Sequence, residues 1–265
     1  MQSASYQSAF YPESRFGGFT DIDGNVAFYA RVNALVDPSF QIVDFGCGRG
    51  VNAEDPVVFR RNLRCFRRRV AKVIGLDVDP VALANPTVDE CRLVMPGATW
   101  PVEDNTTDLL ICDWVLEHLS NPEMFFSEAR RILVPGGFLC IRTTNVMSYV
   151  GVAAKCIPAK KHAKVLGAVQ LKRREEDVFP TAYRCNTVFK LRRQMARFGF
   201  RSAVYGYESE PHYLQLSRFA YSLGVFHQRL APGFLRPALF AFGELVDCDL
   251  QRGLRSGPKL EALQK

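Results

Sequence analysis

Two aspartates and a cluster of glycines are the residues of this 265-residue chain best placed to do chemistry. Asp44 is followed by Phe45-Gly46-Cys47-Gly48-Arg49-Gly50 and preceded by the apolar, β-favouring pair Ile42-Val43. A buried strand ending in a sharp turn is the expected local structure. Glycines at 46, 48 and 50 let the backbone approach a ligand closely, because no Cβ stands in the way. A dinucleotide site would need G-x-G-x-x-G leading straight into a helix. Its third glycine would fall at position 51, which is Val51. An aspartate just before the glycines would also repel a diphosphate. The same carboxylate suits a ligand that carries an ammonium and a sulfonium, which points to S-adenosylmethionine (SAM).

The second acid lies downstream. Val73-Ile74-Gly75-Leu76-Asp77-Val78 reads as another buried strand with a carboxylate at its tip. From there Asp77 can accept both hydroxyls of a ribose, with Val78 as an apolar surface beside an adenine. Residues 107–119 then read as a strand running into a helix, carrying Asp113, Trp114 and His118. Leu133-Val134-Pro135-Gly136-Gly137-Phe138 reads as a helix end, a turn and a further strand.

With these blocks in this order, residues 40–145 closely resemble class I SAM-dependent methyltransferases of the small-molecule type, which carry D-x-G-C-G-x-G, G-x-D and L-x-P-G-G. Residues 185–216 resemble them more loosely. The resemblance implies a doubly wound, Rossmann-like α/β sheet of seven strands, the last antiparallel, with an N-terminal cap and helical C-terminal additions. It implies SAM as cofactor, S-adenosylhomocysteine (SAH) as product and no metal. The implied cofactor contacts are Asp44, Phe45, Gly46, Cys47, Gly48, Gly50, Asp77, Val78, Asp113 and Trp114. The methyl acceptor is expected to be a small molecule, lipid precursor or sugar, with oxygen the favoured atom. A nucleic-acid methyltransferase and a non-catalytic SAM-binding regulatory protein are the alternatives. Base N-methylation commonly uses an Asn/Asp-Pro-Pro-Tyr/Phe block, and here that stretch reads Cys112-Asp113-Trp114-Val115. Two features depart from the family. Its adenine-contacting acid falls at Gly97, where a backbone group would have to substitute. Gly48 and Asp77 are 29 residues apart, against a habit of about 20. The surplus falls in residues 51–56, and Arg49 or nearby amides would then meet the SAM carboxylate.

An attacking hydroxyl benefits from a base, and His118 is the first candidate. It stands one helical turn beyond Trp114, and an unperturbed imidazole accepts protons near neutral pH. A packing role for the same histidine is the alternative reading. His162 and His212 are further candidates.

Composition supports one α/β domain with additions: 48% of residues are hydrophobic and no apolar run reaches the roughly 20 residues a bilayer span needs. The first residues lack the basic and apolar regions of a signal peptide. Eight scattered cysteines without a C-x-x-C pair argue for a reducing, cytoplasmic setting and against metal binding. The formal charge is +7, much of it in Arg60, Arg61, Arg64, Arg67, Arg68, Arg69 and Lys72. Asp55-Pro56 reads as the start of a helix over about 56–69. Its apolar stripe would be Phe59, Leu63, Phe66 and Val70, with the arginines on a solvated or phosphate-binding face. No aromatics interleave with the exposed basic residues, so nucleic acid is not the expected partner.

Residues 1–40 form an expected cap, either a lid or a cover for the sheet edge. Residues 41–216 form the SAM-binding domain, with 146–182 as an insertion that shapes the acceptor pocket. Strands at 200–206 and 212–216 are expected to close the sheet as an antiparallel pair. Residues 217–265 are expected to be a helical extension. Phe219, Leu223, Phe226 and Leu230 give one stripe, and Leu235, Leu239, Phe242 and Val246 a second. Such a tail fits a homodimer interface, a lid or a peripheral membrane contact.

Overall fold

A computed structural model describes residues 3–156, 180–211, 214–215 and 217–246. Among them seven strands form one sheet: β1 (Gln41–Phe45), β2 (Lys72–Asp77), β3 (Glu90–Leu93), β4 (Thr107–Asp113), β5 (Leu133–Thr144), β6 (Phe200–Tyr207) and β7 (Ala238–Leu245). Their order is β3-β2-β1-β4-β5-β7-β6. β1 to β5 run parallel, and β7 lies antiparallel between β5 and β6. The chain reverses its direction of travel across the sheet between β1 and β4. Ligands of such sheets bind in the crevice at this switch point, beyond the carboxyl ends of the strands.

Successive side chains of a strand point to opposite faces, so each strand feeds two cores. On one face Val43, Ile74, Leu110 and Leu139 pack with Phe125, Phe126 and Ile132 of α4 (Pro122–Ile132) and, beyond the short α5 (Tyr149–Cys156), with Leu191 and Met195 of α6 (Val188–Arg197). On the other, Ile42, Val73, Leu109, Ile111 and Cys140 pack with Phe28, Tyr29 and Val32 of α2 (Gly24–Leu35). Asn121 caps α4 by accepting from the Met124 amide, and Pro122 opens the helix as its sequence dictates. The cap helix α1 (Ser3–Phe10) brings Tyr6 and Phe10 against Tyr221 of α7 (Arg218–Leu230). Gln7 and Thr20 both donate to the buried Glu210, which ties the cap to the β6–β7 connection.

Three expectations are corrected. The strand expected at 212–216 does not close the sheet: Leu214 and Gln215 lie in a short turn, and 212, 213 and 216 fall outside the described residues. β7 takes that role, so Leu239 and Phe242 belong to a strand and not to a second helical stripe. The reason is burial on both faces. Leu239, Phe240 and Ala241 are all inaccessible, and a continuous apolar run of this kind has no period that separates strand from helix. The helix expected over 56–69 is only α3 (Val58–Arg64), with Val57 at its N-cap. Asp55 instead accepts from the Val57 amide and from Arg60, which holds the chain in a turn until Val58. Phe59 is exposed, while Phe66 and Val70 reach the core from the turns that follow.

Truncating Phe240 tests whether β7 is structural. Phe240→Ala should cost about 3–5 kcal/mol in denaturant unfolding, and Phe219→Ala, on an exposed helix face, within about 0.5.

Candidate active site

The glycine loop leaves β1 at the switch point with Gly46, Gly48 and Gly50 all at positive φ (75°, 55° and 79°). L-residues with a Cβ seldom adopt that conformation. Each glycine has a separate spatial role. A Cβ at Gly46 would collide with Val115, and one at Gly50 with the Asn85 side chain. At Gly48 a Cβ would meet nothing within 4 Å, so this side of the loop faces open space. Asn85 clamps the loop by donating to the carbonyls of Cys47 and Gly48, both at 3.0 Å. Nothing in its spacing marked Asn85 beforehand.

Asp77, at the tip of β2, accepts the Gly48 amide at 2.8 Å and its own Asp79 amide at 2.9 Å. A carboxylate has about four lone-pair sites, so capacity remains for two hydroxyls. Val78 beside it is half-exposed and apolar. Phe45 turns its ring inward, stacked on Trp100 at 4.5 Å, so only its backbone borders the loop. Cys47 likewise points away, 3.8 Å from Cys91 and packed on Gly75. Gly97, in place of the family's acid, sits in an exposed turn at positive φ.

Asp44 lies on β1, in register with Gly75 of β2 and Ile111 of β4. Burial and the nearby Asp113 push its carboxyl up to about 7, with Arg64 pulling the other way and Asp77 adding to the rise. Asp113 itself is fully engaged. Arg142 of β5 donates to both its oxygens, at 2.6 and 2.7 Å, and the Tyr29 hydroxyl donates at 2.9 Å. Burial opposes ionisation of Asp113, but Arg142, Arg64 and Tyr29 outweigh it and hold the carboxyl below its usual range. Asp113 is therefore an anchor for its neighbours more than a free ligand group. Arg142 was legible only as a lone charge inside an apolar strand, and Tyr29 as one aromatic among several in the cap.

Trp114 follows at φ 60°, a left-handed conformation rare for a bulky residue. Its ring is 41% exposed and lies under the Arg142 guanidinium, 5.2 Å away. Strained backbone of this kind concentrates at functional sites. The strained turn also corrects the expected helical alignment of Trp114 with His118: residues Leu116–His118 form a 3-10 turn. His118 is placed there by contact with the 180s. Its Nδ1 lies 2.9 Å from the Pro180 carbonyl oxygen, which can only accept, so Nδ1 carries a proton and, in the neutral ring, Nε2 is the accepting nitrogen. The neighbouring Glu117 is buried, and its carboxylate takes hydroxyl donors from Thr143 and Thr144. Its carbonyl accepts the amides of Ala182 and Tyr183. His162, His212 and most of the 146–182 insertion lie outside the described residues.

Several of the arginines are engaged by the fold. Arg60 bridges Asp23 and Asp55, Arg67 pairs with Asp89, and Arg69 donates to Asn33 and to the Cys65 carbonyl. Arg64 lies 4.0 Å from Asp113 and over the Tyr29 ring. Among the described residues no group of three or more His, Cys, Asp or Glu could hold a metal ion.

Comparison with known proteins agrees with this architecture. Residues 43–141 match a family model described as a methyltransferase domain. A probable S-adenosylmethionine-dependent methyltransferase of Mycolicibacterium smegmatis is 30% identical over 115 residues, covering 41% of this chain and 39% of that protein. A ubiquinone biosynthesis O-methyltransferase of Sodalis glossinidius is 29% identical over 112 residues, 39% of this chain and 41% of its own. The chain thus spans about two fifths of the length of these curated relatives. A SAM-dependent methyltransferase from Thermotoga maritima superposes with TM-score 0.50 at 16% identity, covering 92% of this chain and 97% of that one. A geranyl diphosphate methyltransferase solved with GPP and sinefungin gives 0.51 at 17%, over 84% and 76%. Residues 43–141 thus match a methyltransferase-domain model, and they hold the glycine loop at the switch point of the sheet.

The raised Asp44 carboxyl yields a pH signature in the ligand-free protein. A carboxyl protonated in the fold but ionised in the unfolded chain makes stability fall as pH climbs between its two pKa values. The stability of wild type relative to Asp44→Asn should fall from about pH 4 to about pH 7 and level off above, as read by thermal unfolding across pH.

Proposed function

We propose that this chain transfers a methyl group from SAM to a hydroxyl of a small molecule, with lipid precursors and sugars as the acceptor classes. The observation that carries this reading is the pair of strand-tip carboxylates, Asp44 and Asp77, on either side of a glycine loop whose Gly48 faces open space. The residues present fit a cationic nucleoside. Asp77 would accept the ribose hydroxyls, Val78 would lie along the adenine, and the Gly48 backbone would approach the ligand where no Cβ intrudes. Asp44 would face the methionine ammonium, whose charge favours the ionised carboxylate. Trp114 would wall the methyl end.

When bound, SAM supplies a methyl already activated by its sulfonium, so the protein's work is orientation, exclusion of water and handling of one proton. His118 would take that proton at Nε2, with the Pro180 carbonyl fixing the tautomer. Asp113 and Arg142 act one step removed, by fixing Trp114, whose amide donates to the Arg142 carbonyl at 2.8 Å. Three relatives are named for O-methyl transfer in ubiquinone biosynthesis, which supports oxygen as the acceptor atom. A reducing, cytoplasmic setting suits the six cysteines that stand free among the described residues. A nucleic-acid acceptor is disfavoured by Arg60, Arg67 and Arg69, whose guanidinium groups are paired with carboxylates and carbonyls within the fold.

Calorimetry tests the cofactor site. Asp77→Ala should weaken SAM binding by about ten- to a hundredfold, the scale of hydrogen bonds to a charged group; an unchanged affinity would remove Asp77 from the site. SAH release with phenolic and catecholic acceptors tests the base. His118→Gln should lower kcat by about 10²–10⁴-fold with SAM affinity preserved, and wild-type turnover in the variant would assign His118 to packing.

A further inference from the structure

We propose that α7 docks the protein on an anionic bilayer surface. Phe219, Leu223, Phe226 and Leu230 are 75%, 53%, 64% and 64% exposed, an unusual density of bare apolar side chains on one helix. Spaced by three or four residues, they share one face.

The helix cannot roll to hide them. Its opposite face is packed, with Tyr221 and Val225 buried against Tyr6, Phe10 and Tyr11 of the cap. Gly224 is so close to Pro211 and Leu214 that a Cβ would clash with both. His227 is pinned at Nδ1 by the Glu208 carboxylate, 2.9 Å away, and meets the Tyr149 ring edge-on at 5.0 Å.

Charge selects the occupant. Arg218 and Arg229 stand exposed at the two ends of the stripe, with Arg236 beyond them. Between Glu210 and Glu244 the sequence holds no acidic residue. Apolar side chains flanked by cations are the requirement for a helix lying in the headgroup plane of an anionic membrane. A second copy of the chain fits less well. The four side chains together expose on the order of 450 Å² of accessible surface, about half of the about 800 Å² per partner of a stable interface. Antiparallel pairing about a twofold axis would also set Arg218 of each copy against Arg229 of the other.

The docking face lies at the same end of the sheet as the glycine loop. β7 begins directly after α7 and its short turn, and Ala238 pairs with both Thr144 and Tyr207 at the carboxyl ends of β5 and β6. This inference rests on α7 alone and does not depend on methyl transfer.

Vesicle flotation of the full chain tests it, using phosphatidylcholine vesicles with and without phosphatidylglycerol. Wild type should float with the mixed vesicles and much less with the neutral ones, and added salt should weaken the binding. Phe219→Ser/Phe226→Ser should lose at least about tenfold in partitioning, with thermal unfolding and SAM calorimetry unchanged. Arg218→Gln/Arg229→Gln should lose the preference for phosphatidylglycerol. Phe226→Trp gives a second readout, a blue-shifted emission on mixed vesicles. Wild type that floats with neither vesicle, or a serine pair that floats as well as wild type, would overturn the proposal. So would a wild-type dimer that the serine pair converts to monomer, since the stripe would then belong to a second copy. Loss of SAM binding in wild type would count against the methyltransferase reading and leave the flotation result standing.

Discussion

Asp113 and Arg142 face each other across β4 and β5, and both are almost wholly withdrawn from water. Either charge alone at that depth would be strongly destabilising, by about 3–5 kcal/mol when one partner of such a pair is removed. Together they are held by a surrounding set of donors and acceptors. Arg142 also donates to the Gly24 carbonyl and to Asn25, at the first turn of α2, and Tyr29 of the same helix donates to Asp113. The ion pair therefore joins the tips of two central strands to α2, the second helix of the cap. Three aromatic rings, Phe28, Tyr29 and Trp114, lie within 6 Å of the guanidinium and shield it from solvent.

From that anchor the electrostatics of the site follow. With Asp113 kept ionised, Asp44 has a fixed negative neighbour at the next strand tip, and burial adds to the same effect. A ligand-free carboxyl poised near neutrality is a group that a bound cation can ionise. Burial and paired acids shift carboxyls in this way at sites that act on ligands, although structural networks do so too. Here the shift coincides with an open face at Gly48 and a left-handed Trp114, which follow the ends of the adjacent strands β1 and β4.

The sequence carries the glycine loop and the strand-helix alternation because both are written in adjacent residues. Asp44 and the three glycines are consecutive, and their backbone angles follow from residue type. What the sequence hides is what depends on partners far along the chain. Asp113 is opposite Arg142 only through the β4–β5 register, which no local spacing encodes. Asp55 looks like a helix cap, yet Arg60 competes for the same oxygens, and the helix starts later. β7 reads as a tail because a strand buried on both faces carries no alternation to reveal it. Asn85 reaches the loop across 37 and 38 residues, a contact made by folding alone.

The position of β7 also explains why an exposed apolar helix belongs to this fold. A strand inserted antiparallel between β5 and β6 must be entered from the end where β6 finishes, so the connection has to pass over the carboxyl edge of the sheet. That connection contains α7, and the cap packs on its inner face through Tyr6, Phe10 and Tyr11. Its outer face is thereby directed away from the core, with Phe234 of the next turn also exposed. The topology that completes the sheet thus places an apolar, cation-flanked surface at the edge where the glycine loop opens.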